Sequence, residues 1–217
     1  MESSSKRFFN NPKKWEFIVK EVNSLVEEFA SFDDEHLNMT ISALKDRIDH
    51  SSKYEDYAST AIALFSVVCK KIYGYAPYDE QILGSVALIN DHMIEMKTGE
   101  GKTLTAAVAA YVKSLKGQGV HVITVNDYLV TRDAFNMARI YSKLGVSCGA
   151  VIESSTIGER FVAYKSDITY VSNSQIGFDY LKDNMKYSTT DMVLRGLKYC
   201  IVDEVDSVLI DEARTPL

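Results

Sequence analysis

Residue types that hold the phosphates of a nucleotide occur in one run, Gly99-Glu100-Gly101-Lys102-Thr103. Glycines allow backbone N–H groups to turn toward an anion, and the start of a following helix adds partial positive charge. Lys102 is placed to contact the β- and γ-phosphates, and the Thr103 hydroxyl is placed to bind Mg²⁺. The complete pattern begins with a glycine where this chain has Met96. An ordinary loop is therefore the alternative interpretation.

Two acids follow an apolar run much later in the chain. Residues 199–202 are Tyr-Cys-Ile-Val, and Asp203 and Glu204 come next. In phosphate-loop ATPases an Asp at the end of such a strand helps to hold Mg²⁺, and we expect Glu204 to activate the attacking water. Solvated acids at a strand end are the alternative. Because the loop and the acids agree on one kind of site, the nucleotide site is the better interpretation.

Tyr78 and Gln81 precede the phosphate loop and could contact a base. A glutamine amide donates and accepts hydrogen bonds at once, which suits the edge of adenine. An aromatic ring can stack on the base. An exposed glutamine on a helix is the alternative interpretation for Gln81.

The apolar pattern predicts the elements that position these residues. Residues 1–73 have apolar residues at three- and four-residue spacing, which predicts an N-terminal helical segment that ends at Gly74. Residues 74–217 alternate short apolar runs with helical periods, which predicts an α/β domain with a parallel sheet. The predicted strands are 93–96, 120–125, 148–152, 167–171 and 198–202. Asn126 or Asp127 is the predicted cap of the helix after the second strand.

Composition and charge limit the classes of function. A net charge of −6 argues against a general nucleic-acid binder, which needs clustered Lys and Arg. A local basic patch at Lys6, Arg7, Lys13 and Lys14 is either a solvated terminus or a segment that contacts a membrane or partner. The three cysteines have no metal-ligand spacing, and we expect them to be buried in a reducing compartment. The apolar run 58–69 is too short to cross a bilayer, so a cytoplasmic location is expected.

Five longer motifs resemble one family. They are residues 95–104 (Glu-Met-Lys-Thr-Gly-Glu-Gly-Lys-Thr-Leu), 119–129, 167–170 (Asp-Ile-Thr-Tyr), 177–181 (Gly-Phe-Asp-Tyr-Leu) and 201–216 (beginning Ile-Val-Asp-Glu-Val-Asp-Ser). Together they closely resemble the SecA preprotein-translocase ATPases over roughly residues 70 to 217. The resemblance implies a RecA-like P-loop NTPase fold of the superfamily-2 motors, with residues 74–217 as an incomplete first nucleotide-binding domain.

The resemblance also implies roles for single residues. Gln81 falls on the adenine-reading glutamine of the family, and Asp203 and Glu204 fall on its Mg²⁺-site acid and catalytic base. Arg132 falls in a further motor motif. The family's phosphate loop corresponds to Gly99, Glu100, Gly101, Lys102 and Thr103. Two departures are Gly84-Ser85, where the family usually has Gly-Gly, and residues 172–174 (Ser-Asn-Ser), where it often has Thr-Asn-Asn.

The resemblance implies a protein-export motor, whose cofactors are ATP and Mg²⁺. Hydrolysis of ATP would drive an unfolded preprotein through a membrane channel, with the motor cytoplasmic and peripheral at the membrane. A superfamily-2 helicase acting on nucleic acid and a non-enzymatic interaction module are the alternatives, and the acidic charge and the intact site residues argue against them.

Family members continue past residue 217 into a preprotein-binding domain and a second motor domain. We therefore expect the 217-residue chain alone to bind adenine nucleotide weakly and to hydrolyse it poorly. We also expect an open sheet edge that favours self-association.

Overall fold

The computed structural model describes residues 15–49 and 52–211. The helices are α1 (Glu16–Phe29), α2 (Asp34–Arg47), α3 (Ala58–Tyr73), α4 (Asp79–Ile89), α5 (Lys102–Ser114), α6 (Asp127–Lys143), α7 (Ile157–Lys165) and α8 (Asn173–Asn184). The strands are β1 (Val120–Thr124), β2 (Cys148–Val151), β3 (Ile168–Ser172) and β4 (Tyr199–Val202). Short 3₁₀ turns lie at Tyr54–Asp56 and Thr189–Asp191, and a π-helical turn lies at Ser207–Asp211.

The four strands form one parallel sheet in the order β2-β3-β1-β4. Val120 at the start of β1 is paired with Ile168 of β3 on one side and with Tyr199 of β4 on the other. Every residue of β3 is buried, as expected for a central strand covered by helices on both faces. The predicted α/β class with a parallel sheet is therefore confirmed.

Helix α3 connects the helical segment to the sheet domain through packing. Its residues 58–69 are buried except Thr60, which is half-buried, and the helix contacts α1, α5 and α6. One apolar cluster contains Val22 of α1, Phe65 of α3, Val108 of α5 and Val122 of β1. Because this core crosses residue 73, the division of the chain at that position stays a prediction.

Local turn chemistry was predicted well. Gly74 ends α3 in the left-handed conformation with φ of 81°, which a residue without a Cβ adopts at no steric cost. Asn126 caps α6, and its side chain accepts a hydrogen bond of 2.9 Å from the backbone N–H of Leu129. The end of α3 and the start of α6 are each fixed by residues within one turn of the helix. The local sequence was therefore sufficient to predict both.

The predicted strand at 93–96 was wrong. The segment has no regular structure, Met93 is 74% exposed, and a cavity separates the segment from β4. The chain reverses at Asp91, whose φ is +59°, and no backbone hydrogen bond joins 93–96 to β4 within the described residues. None of residues 93–96 is buried, so little apolar burial offsets the entropy lost on ordering the segment as an edge strand.

The cysteine prediction was partly wrong. Cys69 is buried, but Cys148 is half-buried and Cys200 is exposed. Cys200 lies in β4, which is at the edge of the sheet, so one face of the strand is less covered than that of a central strand. Partial burial still raises the pKa of the Cys200 thiol.

The apolar helices and the N-terminal basic patch were the two features with a predicted relation to membranes. Within residues 15–49 and 52–211, no helix combines the length and the apolar character that crossing a bilayer requires. The basic patch formed by Lys6, Arg7, Lys13 and Lys14 lies outside the described residues. Trp15, which directly follows the patch, is buried at the start of α1 and contacts His92 edge-on at 5.1 Å.

Candidate nucleotide site

The phosphate loop forms a tight turn before α5. Gly99 and Gly101 have φ values of +90° and +83°, which residues with a side chain rarely adopt. The Glu100 carboxylate accepts a hydrogen bond of 2.8 Å from the backbone N–H of Lys97, and this contact closes the turn. Gly101 precedes α5 without a side-chain cap. The first N–H groups of the helix therefore have no capping side chain, which suits an anion.

Gln81 holds the loop from the side of α4. Its Nε2 donates to the carbonyl of Glu100 at 2.8 Å, and its Oε1 accepts from the backbone N–H of Tyr78 at 3.0 Å. A Cβ atom on Gly101 would displace the Gln81 amide, and the φ of +83° at Gly101 would strain any residue with a side chain. The sequence motif located Gln81, but it did not indicate that both amide atoms already have partners in the protein.

One cavity beside the loop contains the predicted phosphate-binding cation and both acids. We call it the acidic cavity; its volume is about 710 Å³, and its lining includes Lys102, Asp203 and Glu204. Within the described residues Lys102 has no salt bridge, so its charge is available to an anion. Helix α5 runs in the opposite sense to β4, from Lys102 at this cavity to Lys113 beside Tyr199, so its start lies at the carboxyl end of the strand.

The two acids are held at the end of β4 by backbone contacts. The Asp203 N–H donates to the carbonyl of Ile123 at 2.9 Å, which continues the pairing with β1. The Glu204 N–H donates to Asp203 Oδ1 at 2.9 Å. Glu204 has φ of +52°, a conformation that is strained for a residue with a Cβ. The turn after β4 therefore holds Glu204 exposed beside the cavity.

A second cavity lies on the other side of the loop. We call it the aromatic cavity; its volume is about 430 Å³. Its lining residues are Tyr75, Ala76, Tyr78, Gln81, Gly101, Thr103, Leu104, Arg132, Asp133, Asn136 and Met137. The predicted base-contacting residues Tyr78 and Gln81 thus lie together with Arg132. Thr103 lines this cavity, whereas its neighbour Lys102 lines the acidic one, so the start of α5 lies between them.

Arg132 is oriented by its neighbour on α6. Its Nε donates to Asp133 Oδ1 at 2.7 Å, and Asp133 is 3% exposed. This hydrogen bond raises the pKa of Arg132, and the charges of Asp133 and Asp203 act in the same direction against partial burial. The remaining guanidinium N–H groups of Arg132 can donate into the aromatic cavity.

Ser85 links the two helices that flank the loop, and sequence analysis noted it only as a departure from the family. Its side chain is fully buried, and its Oγ lies 2.7 Å from the carbonyl of Gln81 and 2.9 Å from that of Thr105. A Cβ atom on the preceding Gly84 would lie 3.0 Å from Thr105 Cγ2. The pair therefore combines close helix packing at Gly84 with a hydroxyl contact at Ser85.

A buried ion pair joins α7 and α8 beyond the site. Arg160 Nη1 lies 2.7 Å from Asp179 Oδ2, and their side chains are 8% and 2% exposed. The hydroxyl of Tyr164 donates to the same oxygen at 2.8 Å, and Arg160 also donates to Gln175 Oε1 at 2.8 Å. The motif at residues 177–181 contains Asp179, but the sequence does not indicate that Arg160 is its partner.

Known proteins resemble the chain over nearly its whole length. The family model for the SecA DEAD-like domain matches residues 3–217. Protein translocase subunit SecA 1 of Bordetella avium (strain 197N) is 45% identical over 205 residues, which cover 94% of this chain and 22% of that protein. Protein translocase subunit SecA of Syntrophus aciditrophicus (strain SB) is also 45% identical over 205 residues, covering 94% of this chain and 24% of that protein. The chain thus spans less than a quarter of the length of these relatives.

The match agrees with the architecture described above, a parallel sheet flanked by helices with a glycine-rich loop at the start of a helix. It also confirms the resemblance and the RecA-like fold class that the sequence motifs predicted. The chain belongs to the SecA DEAD-like domain family.

Proposed function

We propose that this chain is the ATP-binding part of a SecA-like protein-export motor. One observation carries the proposal: Lys102, Asp203 and Glu204 line a single cavity beside the phosphate loop. A cation without an ion pair in the described residues, opposite two carboxylates, suits a nucleotide phosphate bound with a divalent cation. Membership of the SecA DEAD-like domain family supports the same assignment.

Each residue has a role in this proposal. Lys102 stabilises negative charge on the phosphates, and Glu204 orients and activates the attacking water. Asp203 offers a carboxylate oxygen in the acidic cavity, which is a ligand that Mg²⁺ prefers. Thr103 would offer its hydroxyl to the same ion, although in this structure it lines the aromatic cavity. Asp203 Oδ1 accepts from the Glu204 N–H, and both carboxylate oxygens keep lone pairs for a cation. Bound Mg²⁺ would neutralise phosphate charge during hydrolysis.

The aromatic cavity would take the base. Tyr78 is 72% exposed and could stack on adenine. Gln81 reads the base only if adenine replaces its hydrogen bonds with Tyr78 and Glu100. Arg132 lines the same cavity and would contact the ribose from α6. In this proposal the base and the phosphates lie on opposite sides of the start of α5.

The wider function is proposed from the relatives, which are protein translocase subunits. In a protein of their length, ATP hydrolysis would move an unfolded preprotein through a membrane export channel. The motor would be cytoplasmic and would associate peripherally with the membrane. No specific feature of the described residues favours the nucleic-acid helicase or the non-enzymatic module.

A calorimetric titration of MgATP and MgGTP into the wild-type chain and Lys102→Ala tests the nucleotide site. We expect saturable ATP binding and weaker GTP binding. A hydrogen bond to a charged group contributes about 1.5–3 kcal/mol, so Lys102→Ala should weaken ATP binding about 10- to 100-fold. Lys70→Ala, which removes an exposed lysine of α3, is the matched control and should bind like wild type. Equal affinity of the Lys102→Ala variant and wild type would contradict the proposed site.

A further inference from the structure

Lys113 is a buried cation in the last turn of α5, at the far end from the phosphate loop. Its side chain is 5% exposed, and its Nζ lies 4.2 Å from the ring centre of Tyr54 and 4.3 Å from that of Tyr199. Asp91 Oδ1 lies 3.0 Å from the same Nζ. Aromatic faces attract an ammonium group, and the carboxylate supplies the opposite charge. We call these four residues the lysine clamp.

The members of the clamp come from four separate parts of the fold. Tyr54 belongs to the 3₁₀ turn before α3, and Asp91 follows α4 in a left-handed conformation, with φ of +59°. Tyr199 is the first residue of β4, and its hydroxyl donates to the carbonyl of Leu88 in α4 at 2.7 Å. The strained conformation of Asp91 directs its carboxylate to Lys113, and strain of this kind persists only where surrounding contacts fix it.

The clamp contacts β4, an edge strand that leads directly to the two acids of the site. Within the described residues β4 pairs only with β1, so backbone hydrogen bonds constrain one of its two edges. The carboxyl end of β4 leads directly to Asp203 and Glu204. Helix α5 runs in the opposite sense, from Lys102 at the acidic cavity to Lys113 beside the start of β4. A contact between Lys113 and Tyr199 therefore fixes the strand that carries the acids against the helix that carries the phosphate-binding lysine.

We propose that Lys113 is a positioning residue, which sets the place of β4 against α5 and thereby the distance of Asp203 and Glu204 from Lys102. Its effect on nucleotide binding rests on the proposed function. Its effect on β4 does not, because that effect follows from the contacts of the clamp alone. The two effects need separate measurements.

Hydrogen exchange tests the effect on β4. We compare wild type with Lys113→Met, which keeps the length of the side chain and removes its charge, and with Lys113→Arg, whose guanidinium can still stack on tyrosine and pair with Asp91. Lys116→Met is the matched control, since Lys116 stacks on Tyr54 but not on Tyr199. We expect exchange at residues 199–203 to rise about tenfold or more in Lys113→Met, with β3 unchanged. Lys113→Arg and Lys116→Met should resemble wild type.

ATP titrations with Mg²⁺ and with excess chelator test the effect on the site. In Lys113→Met, we expect affinity without Mg²⁺ to stay within about twofold of wild type, since Lys102 and the loop are intact. The gain in affinity on adding Mg²⁺ should fall about fivefold or more, since it depends on Asp203. Lys113→Arg should show the same gain in ATP affinity on adding Mg²⁺ as wild type. If the role of Lys113 were purely structural, the ATP affinities with and without Mg²⁺ would fall together in Lys113→Met.

The outcomes separate the two proposals. If wild type binds no ATP, the proposed function fails, and exchange at residues 199–203 still decides whether the clamp holds β4. If exchange in Lys113→Met matches wild type, the clamp proposal fails whatever the nucleotide result. If Lys113→Met does not fold, Lys113→Gln makes the same comparison, because its neutral amide lacks the positive charge that Tyr54, Tyr199 and Asp91 attract. Unchanged exchange in that variant would also overturn the proposal.

Discussion

Glu204 combines an exposed position, a left-handed backbone and a place at the end of β4. A residue with a Cβ loses about 1–3 kcal/mol in such a conformation, and surrounding structure must hold it there. Backbone strain at Glu204, which lines the acidic cavity, is expected if its position in the cavity matters more than the stability of the fold. The motif located Glu204 in the sequence, but its backbone angle depends on contacts made by the folded chain.

The strain at Glu204 predicts a gain in stability on substitution. Glu204→Gly should raise the free energy of unfolding by about 1 kcal/mol, because glycine adopts positive φ without steric cost. Denaturant titration measures the change. Glu204→Ala is the control, since it removes the charge and retains the Cβ. An equal gain in Glu204→Ala would assign the effect to repulsion from neighbouring acids instead of backbone strain.

His121 is a second residue whose environment could not be predicted from its position in the sequence. It is 1% exposed in β1, and its Nε2 has no hydrogen-bond partner among the described residues. Burial lowers the pKa of His121 to about 4, and the nearby Arg195 charge acts in the same direction. The ring of Tyr164 lies 5.9 Å away. His121 is therefore neutral in the folded protein at neutral pH.

The lowered pKa of His121 predicts that the folded protein loses stability in mild acid. Between pH 6.5 and about 4 the unfolded chain binds a proton at His121 that the folded chain does not. The free energy of unfolding should therefore fall on the order of 3 kcal/mol from this residue as pH falls through that window. Denaturant titrations at several pH values measure the slope. His121→Phe, which cannot titrate, should lose this component, and an unchanged slope in that variant would contradict the assignment.

At the scale of elements, the buried pair between Arg160 and Asp179 ties α7 to α8. Removing one partner of such a pair leaves an uncompensated buried charge, which costs about 3–5 kcal/mol. Asp179→Asn should therefore lower the free energy of unfolding by about that amount. The double variant Arg160→Met with Asp179→Leu should lose less, because it leaves no buried charge. A double variant that is less stable than Asp179→Asn would show that the pair itself stabilises the fold.

The elements also show what sequence patterns can and cannot predict. Helix ends at Gly74 and Asn126 were predicted because the residue and its partner lie within one turn. The strand expected at 93–96 was not found, because a strand depends on neighbours that local sequence does not specify. The phosphate loop and the acids were located as motifs. The contacts of Gln81, Ser85 and Lys113 arise only when separate helices and strands pack together.

At the scale of the whole molecule, the open edge of β4 is the feature that predicts behaviour in solution. Unpaired backbone groups on an edge strand can pair with another chain. Exposed apolar side chains add to this tendency, among them Met93 at 74% and Ile210 at 72% exposure. We therefore expect the chain to self-associate as its concentration rises.

Light scattering under reducing conditions, across a wide concentration range, measures this association. Reduction excludes disulfides through the exposed Cys200. Cys200→Lys places a charge on the edge strand, which should shift the chain toward monomer. If Cys200→Lys associates as strongly as wild type, the association uses another surface. A chain that stays monomeric at every concentration would contradict the prediction.

The order of the strands also governs when the candidate site can form during synthesis. The phosphate loop precedes β1, whereas β4 and its acids follow all three other strands of the sheet. Ribosomes add roughly 5–20 residues per second, so the loop leaves the ribosome roughly 5–20 seconds before Asp203 does. During that interval the nascent chain has the lysine of the site without its acids. In the proposed function, ATP would therefore contribute fully to the stability of this fold only after β4 has paired with β1.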